Sequence, residues 1–170
     1  EKYKYQMICI LIFLVALTVI GIANNRHRTQ MQVEAAAQEA YRSRMETDEL
    51  TGLLNKEGFY RRGSEFLEEH PEADARILYI NVENFKLVND LFGEEAGDEF
   101  LKYIGRELEK VFGKIDNVSS RYEADHFVIL TLENEDRIQT QMKRFGDQIR
   151  DYYLKTTVEI SAGIYEIRDR

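Results

Sequence analysis

Hydrophobic positions divide the chain into three stretches with different periodicities. Residues 5–23 carry no charge, and 7–20 are nearly all apolar. A membrane span needs about 20 such residues, so a transmembrane helix is predicted over 5–23. Residues 30–49 contain neither proline nor glycine and include Ala35-Ala36-Ala37 among many strong helix formers, which predicts a helical linker. Within it Met31, Ala35, Gln38, Arg42 and Met45 recur at alternating four- and three-residue steps. That is coiled-coil spacing, but Gln38 and Arg42 interrupt the seam, so a solvated rod and a dimer stalk both fit. The division by pattern is therefore span 5–23, linker 24–47 and domain 48–170.

From residue 48 the pattern alternates between strand and helix. Gly52 breaks the rod, Asn55 is placed to cap a helix over 56–70, and Pro71 ends it. A strand is predicted over 76–81, a short helical turn over 85–90 and a loop over 91–93. The next helix covers 97–113, with Leu101, Ile104, Leu108 and Val111 as its apolar stripe. Strands follow over 118–122 and 127–132. A second amphipathic helix covers 135–152, with Ile138, Met142, Phe145, Ile149 and Tyr152 on one face, and a last strand covers 156–164. The order from residue 76 is strand, helix, strand, strand, helix, strand. That is the split βαβ, ferredoxin-like arrangement, an α+β fold on an antiparallel sheet.

Charge narrows the partners. Thirty-one acidic residues stand against 23 basic ones, a net charge of -8. A nucleic-acid binder needs a basic footprint, which this balance argues against; a single nucleotide is not excluded. The one cysteine, Cys9, rules out an internal disulfide and a multi-cysteine metal site. The sequence begins at Glu1 and not at Met, so it reads as a fragment, with further spans or a sensor expected before it.

Candidate chemistry gathers at a hairpin, Arg121-Tyr122-Glu123-Ala124-Asp125-His126-Phe127, where three polar or charged side chains interrupt two strands. Charge at a hairpin tip is often no more than a solvated turn. A second stretch favours a site: the apolar strand Ile77-Leu78-Tyr79-Ile80 runs into Asn81-Val82-Glu83-Asn84-Phe85-Lys86. Polar groups at the end of a core strand, facing a turn, are where ligand sites form.

Four motifs in order carry a resemblance. They are Asp48-Glu49-Leu50-Thr51-Gly52-Leu53-Leu54-Asn55-Lys56-Glu57-Gly58-Phe59, then Asn81-Val82-Glu83-Asn84-Phe85-Lys86-Leu87-Val88-Asn89-Asp90, then Gly97-Asp98, then Arg121-Tyr122 before the turn. On these the stretch 48–170 resembles the GGDEF domain family, which includes bacterial diguanylate cyclases. The resemblance implies a nucleotide-cyclase-type fold and a cytoplasmic domain. Where the family has Gly-Gly-Asp/Glu-Glu-Phe, this chain has Glu123-Ala124-Asp125-His126-Phe127.

The resemblance also implies residue roles. The family's metal site falls on Asn81, Asp125 and the backbone carbonyl of Val82, with Glu83 near enough in sequence to compensate for the charge that Asn81 lacks. Hard cations prefer charged oxygen ligands, so Mg²⁺ is expected to be held weakly or not at all. His126 takes the place of a glutamate with a proposed catalytic role; histidine can act as a base at neutral pH but is a poor Mg²⁺ ligand. Asp125 and His126 are the candidate catalytic pair. Glu123 and Ala124 put side chains where the family's glycines let phosphates approach. Asn89 and Asp98 match the guanine-contacting residues, although each also fits a plain capping role, and Lys86 matches a motif lysine that can face phosphate. Arg121 is expected to anchor the hairpin. The window Lys114-Ile115-Asp116-Asn117 lacks the Arg-x-x-Asp of the family's inhibitory product site. The family domain continues past its last strand, so 48–170 is expected to be C-terminally incomplete.

Three functions compete: a degenerate domain that binds GTP or regulates, pairing as a homodimer and serving a downstream phosphodiesterase domain; an active diguanylate cyclase using Glu83, Asp125 and His126; and a purely structural or dimerising module.

Overall fold

The structure, a computed structural model, describes residues 2–113, 116–152 and 158–168; within the first helix the side chains at 2, 5, 6 and 8–12 lie outside that description. Two compact units result, Glu1–Arg44 and Met45–Arg170.

The first unit is helix. Nothing between residues 2 and 45 is a proline, and α1 runs unbroken over Lys2–Met45. The expected span (5–23) and nearly all of the expected linker (24–47) lie within this one helix. Its apolar side chains Phe13, Leu14, Val15, Leu17, Val19, Ile20 and Ile22 are exposed. Among the described residues, no helix is long and apolar enough to cross a membrane; seven of the side chains in the run predicted to span lie outside that description.

The predicted linker helix reached residue 49, and it stops at Met45 instead. The reason lies in Asn55 and Asp48. Asn55 Nδ2 donates to the Met45 carbonyl at 2.8 Å and the Asn55 amide to the Glu46 carbonyl, also at 2.8 Å. Asp48 then accepts from the Thr51 amide and hydroxyl at 2.8 and 2.7 Å, which closes a turn that Gly52 completes at φ 79°. A side chain that offers the backbone such local bonds competes with helix continuation.

Helix α2 spans Lys56–Glu69. Asn55 caps it as predicted, its side-chain oxygen accepting from the Gly58 amide at 2.9 Å. Gly58 is required there: a Cβ would lie 2.3 Å from the Glu46 carbonyl oxygen. Arg61 fastens the same junction by pairing through two nitrogens with the Glu46 carboxylate, and it also bonds Glu65 at 2.7 Å.

The rest of the domain is β1 (Arg76–Glu83), α3 (Phe85–Phe92), α4 (Glu94–Phe112), β2 (Asn117–Glu123), β3 (His126–Thr131), α5 (Glu135–Tyr152) and β4 (Glu159–Glu166). The sheet order is β2-β3-β1-β4 with every neighbouring pair antiparallel, the ferredoxin-like order. Helix α5 matches its predicted bounds, while several other boundaries move. β1 extends to Glu83 because β4 pairs with it to the end, Glu83 opposite Glu159. The predicted loop over 91–93 shrinks to Gly93, at φ 88°, and α4 starts at Glu94. Glu94 and Glu95 in its first turn suit the positive end of the helix dipole. The start predicted for the last strand, at 156, lies outside the described residues.

Alternation along β1 divides the domain into two apolar layers. Leu78, Ile80 and Val82 join Phe127 and Ile129 of β3 against α4 and α5, with Phe100, Ile104, Leu108, Phe145 and Ile149 fully or almost fully buried. Ile77 joins Val118, Val128 and Leu130 beneath Phe59 and Phe66 of α2. Tyr79, Asn81 and Glu83 alternate with the first set, so they share the face of Ile77.

Candidate functional site

The sheet register creates a polar cluster at the end of β1. Asn81 is opposite His126 of β3 on one side and Ser161 of β4 on the other. Asn81 Nδ2 donates to Glu83 Oε1 at 2.8 Å, and Ser161 Oγ donates to the same oxygen at 2.7 Å. Those two bonds, the serine's first, hold the Glu83 carboxyl below its usual range, and the charge His126 can carry pulls the same way. Glu83 can make up for the charge that Asn81 lacks only if the two side chains point the same way. Two residues apart on a strand, they do, and the carboxylate uses one oxygen to hold its neighbours.

Asp125 and His126 lie beside this cluster. The Val82 amide donates to the Asp125 carbonyl at 3.3 Å, so the backbone at Val82 is tied directly to the turn. His126 Nδ1 lies 3.3 Å from the Glu123 carbonyl and 3.4 Å from Asp125 Oδ1, and its ring packs on Tyr79 with centroids 5.3 Å apart. Asn81, Glu83, Asp125 and His126 are thus brought together, together with Ser161. Sequence reading missed Ser161, because only the strand register places it opposite Asn81.

The turn itself keeps an unusual backbone. Ala124 sits at φ 47°, in the left-handed region where glycine is at ease and alanine is strained by roughly 1–2 kcal/mol. Glu123 and Ala124 are both exposed. Arg121 anchors the turn as expected: its Nε donates to the Ala124 carbonyl at 2.7 Å and its Nη1 reaches Asp48 at 3.3 Å. Behind the turn an open cavity of about 650 Å³ is lined by Lys56, Glu57, Tyr60, Tyr122 and Glu123, among others. Here the Tyr60 and Tyr122 hydroxyls meet at 2.6 Å, which raises the Tyr60 pKa, and Lys56 lies 4.6 Å from the Tyr122 ring centre. Asn81, Asn89, Asp98 and Asp125 do not line it.

The base-reading candidates lie elsewhere, at the joint of α3 and α4. Asn89 Oδ1 is buried and meets no hydrogen-bond donor among the described residues. It rests against Gly97, where a Cβ would stand 1.8 Å from it. Asp98 follows directly and is exposed, as is Lys86 on α3. Lys86 makes no ion pair among the described residues. Lys114 and Ile115 of the inhibitory-site window lie outside them.

The donor set at the end of β1 does not fit a divalent cation. Asn81 is neutral and turns its nitrogen toward Glu83, and Glu83 Oε1 already accepts two hydrogen bonds. Among the described residues, no three His, Cys, Asp or Glu side chains are grouped to hold a metal ion.

Comparison with known proteins agrees with the geometry. The family model described as diguanylate cyclase, GGDEF domain, matches residues 45–170. Diguanylate cyclase DgcP of Escherichia coli (strain K12) is 33% identical over 129 residues, which cover 71% of this chain and 38% of that protein. Diguanylate cyclase DgcM of the same strain is 33% identical over 116 residues, 67% of this chain and 26% of that protein. The chain therefore spans well under half the length of either relative. Among solved structures, the coiled coil and GGDEF domain of DgcB from Caulobacter crescentus, in complex with c-di-GMP, superposes with a TM-score of 0.69 at 19% identity, over 86% of this chain and 83% of that one. The S helix-GGDEF-EAL portion of Vibrio cholerae LapD, bound to c-di-GMP, gives 0.64 at 18% identity, over 79% and 32%. At these identities the two structures speak for the fold, and the family model and the sequence relatives speak for the family. On that evidence the chain belongs to the GGDEF domain family.

Proposed function

We propose that this chain is a membrane-anchored, catalytically degenerate GGDEF domain of cyclic di-GMP signalling, which binds GTP or regulates a partner and does not join two GTP molecules. The observation that carries the reading is the turn. Ala124 holds the left-handed backbone without being glycine, and Glu123 sets a carboxylate beside it. Side-chain bulk and negative charge both oppose a triphosphate at that place. Asn81, which is neutral where the family has a carboxylate, weakens the same end of the site.

What is retained favours a guanine. Asn89 keeps a buried acceptor that meets no donor among the described residues, and leaving such a group unmet costs about 1–3 kcal/mol. The guanine edge offers N–H donors to it and to the Asp98 carboxylate, whereas the adenine edge lacks the N1–H and N2 donors. Titration calorimetry of the full chain with GTP and ATP tests this. GTP should bind in preference, and Asp98→Ala should weaken GTP several-fold to roughly a hundredfold while changing ATP little. Glu123→Gly should strengthen both nucleotides alike. Equal binding of the two, or none at millimolar concentration, would leave the structural or dimerising role in its place.

The anchor is the uncharged run over 5–23, with its exposed apolar helix surface. Such a surface is stable in lipid and unfavourable in water. The domain then lies on the cytoplasmic side, with homodimerisation through the helical linker and a phosphodiesterase domain further along the full protein as its partners. Membranes carrying the chain should retain it after washing with high salt or carbonate; release by either wash would remove the anchor from this reading.

A further inference from the structure

We infer that the Asn81 amide and the Ser161 hydroxyl occupy, as internal hydrogen-bond donors, the role a divalent cation has elsewhere in the family, so that this end of β1 is complete without a metal. The inference concerns the ion and not the nucleotide, so it stands whether or not GTP binds.

Three features of the geometry carry it. First, the donors are built in by the sheet. Ser161 is the register partner of Asn81, and Asn81 and Glu83 share a strand face, so both donors reach Glu83 Oε1 from fixed backbone positions at 2.8 and 2.7 Å. Second, they are directed at a carboxylate. Hydrogen bonds to an ionised acceptor are among the stronger ones, and the amide must present its nitrogen to Glu83 to make one. A cation at the same oxygen would meet the amide hydrogens and would have to turn Asn81 over, losing that bond. Third, the other anion nearby sits next to a basic side chain of its own turn, with Asp125 Oδ1 lying 3.4 Å from His126 Nδ1. The negative side chain at the end of β1 that a bound cation would otherwise screen is met by two donors of the chain itself. The arrangement answers the charge problem that Mg²⁺ solves, because a carboxylate without a cation or a donor beside it is costly in a partly buried site.

The test is a titration of the full chain, in detergent micelles, with Mn²⁺ alone, read by the electron paramagnetic resonance of the free ion. Wild type should take up no more Mn²⁺ than the Asp125→Ala variant. Asn81→Asp, which replaces a donor with a charged ligand, should gain a site at least about tenfold tighter, since cation affinity follows the number of charged ligands. Saturable wild-type uptake that Asp125→Ala abolishes would overturn the inference. So would a folded Asn81→Asp protein that gains nothing. The comparison of wild type with Asp125→Ala decides the matter by itself if the Asn81 variant does not fold.

Discussion

Asn89 and Gly97 fit together only because one of them has no side chain. A Cβ on Gly97 would stand 1.8 Å from Asn89 Oδ1. Helices α3 and α4 meet at Gly93, and the Asn89 amide is held against the first turn of α4, directly before Asp98. The motif pair Asn89-Asp90 and Gly97-Asp98 is therefore a packing unit as well as a set of possible contacts.

Gly97→Ala should turn the Asn89 side chain away and cost the domain about 1–3 kcal/mol, the usual penalty for bulk added to a packed site. On the proposed reading it should also weaken GTP binding several-fold or more. Thermal melts and calorimetry on the same preparation separate the two effects. An unchanged melt together with unchanged binding would show that Asn89 does not depend on Gly97.

A similar constraint governs the start of the domain. The Gly58 Cα faces the Glu46 carbonyl, and a Cβ would come within 2.3 Å of its oxygen. Gly58→Ala should destabilise the domain by about 1–3 kcal/mol despite its better helix propensity, because it forces apart the cap that Asn55 makes. Denaturant unfolding monitored by tyrosine fluorescence measures this. A gain in stability would mean that the junction gives way easily.

The polar cluster predicts an acid dependence of known sign. Glu83 has a folded pKa below its ordinary 4.5, chiefly through Ser161 and next through Asn81. A depressed carboxyl contributes stability that is fully present above the ordinary value and is lost as pH falls through the lowered one. Ser161→Ala removes the first cause, so its folded pKa should move up toward the ordinary value. The variant should be less stable than wild type at neutral pH, and the difference should shrink as pH falls below 4.5. Melting temperatures of the two proteins across that range test it. A difference that stays constant with pH would assign the serine no electrostatic role.

The fold was legible in sequence wherever one local signal decided it. Asn55 declared itself as a cap, Pro71 as a stop, and the stripe on α5 gave its exact bounds. Element order alone implied the antiparallel sheet. What was not legible depended on pairing across the sheet or on competition between neighbours. The length of β1 depends on β4, and the end of α1 depends on carbonyls that Asn55 claims from downstream and on the turn that Asp48 closes with Thr51. Ser161 carries no motif and becomes visible only through its register with Asn81. The shared face of Asn81 and Glu83 could have been read from the two-residue period of a strand. Ala124 could be recognised as a poor residue for the turn, but not as one that would adopt the glycine-like backbone all the same.

The central claim, that this domain does not synthesise cyclic di-GMP, meets its most direct test in a turnover assay. The full chain in detergent micelles is incubated with GTP and either Mg²⁺ or Mn²⁺, and cyclic di-GMP is measured by mass spectrometry. The account predicts no product above a control without protein. Product that accumulates with time and disappears in Asp125→Ala would contradict it, and would establish Glu83, Asp125 and His126 as an unconventional but working cyclase site.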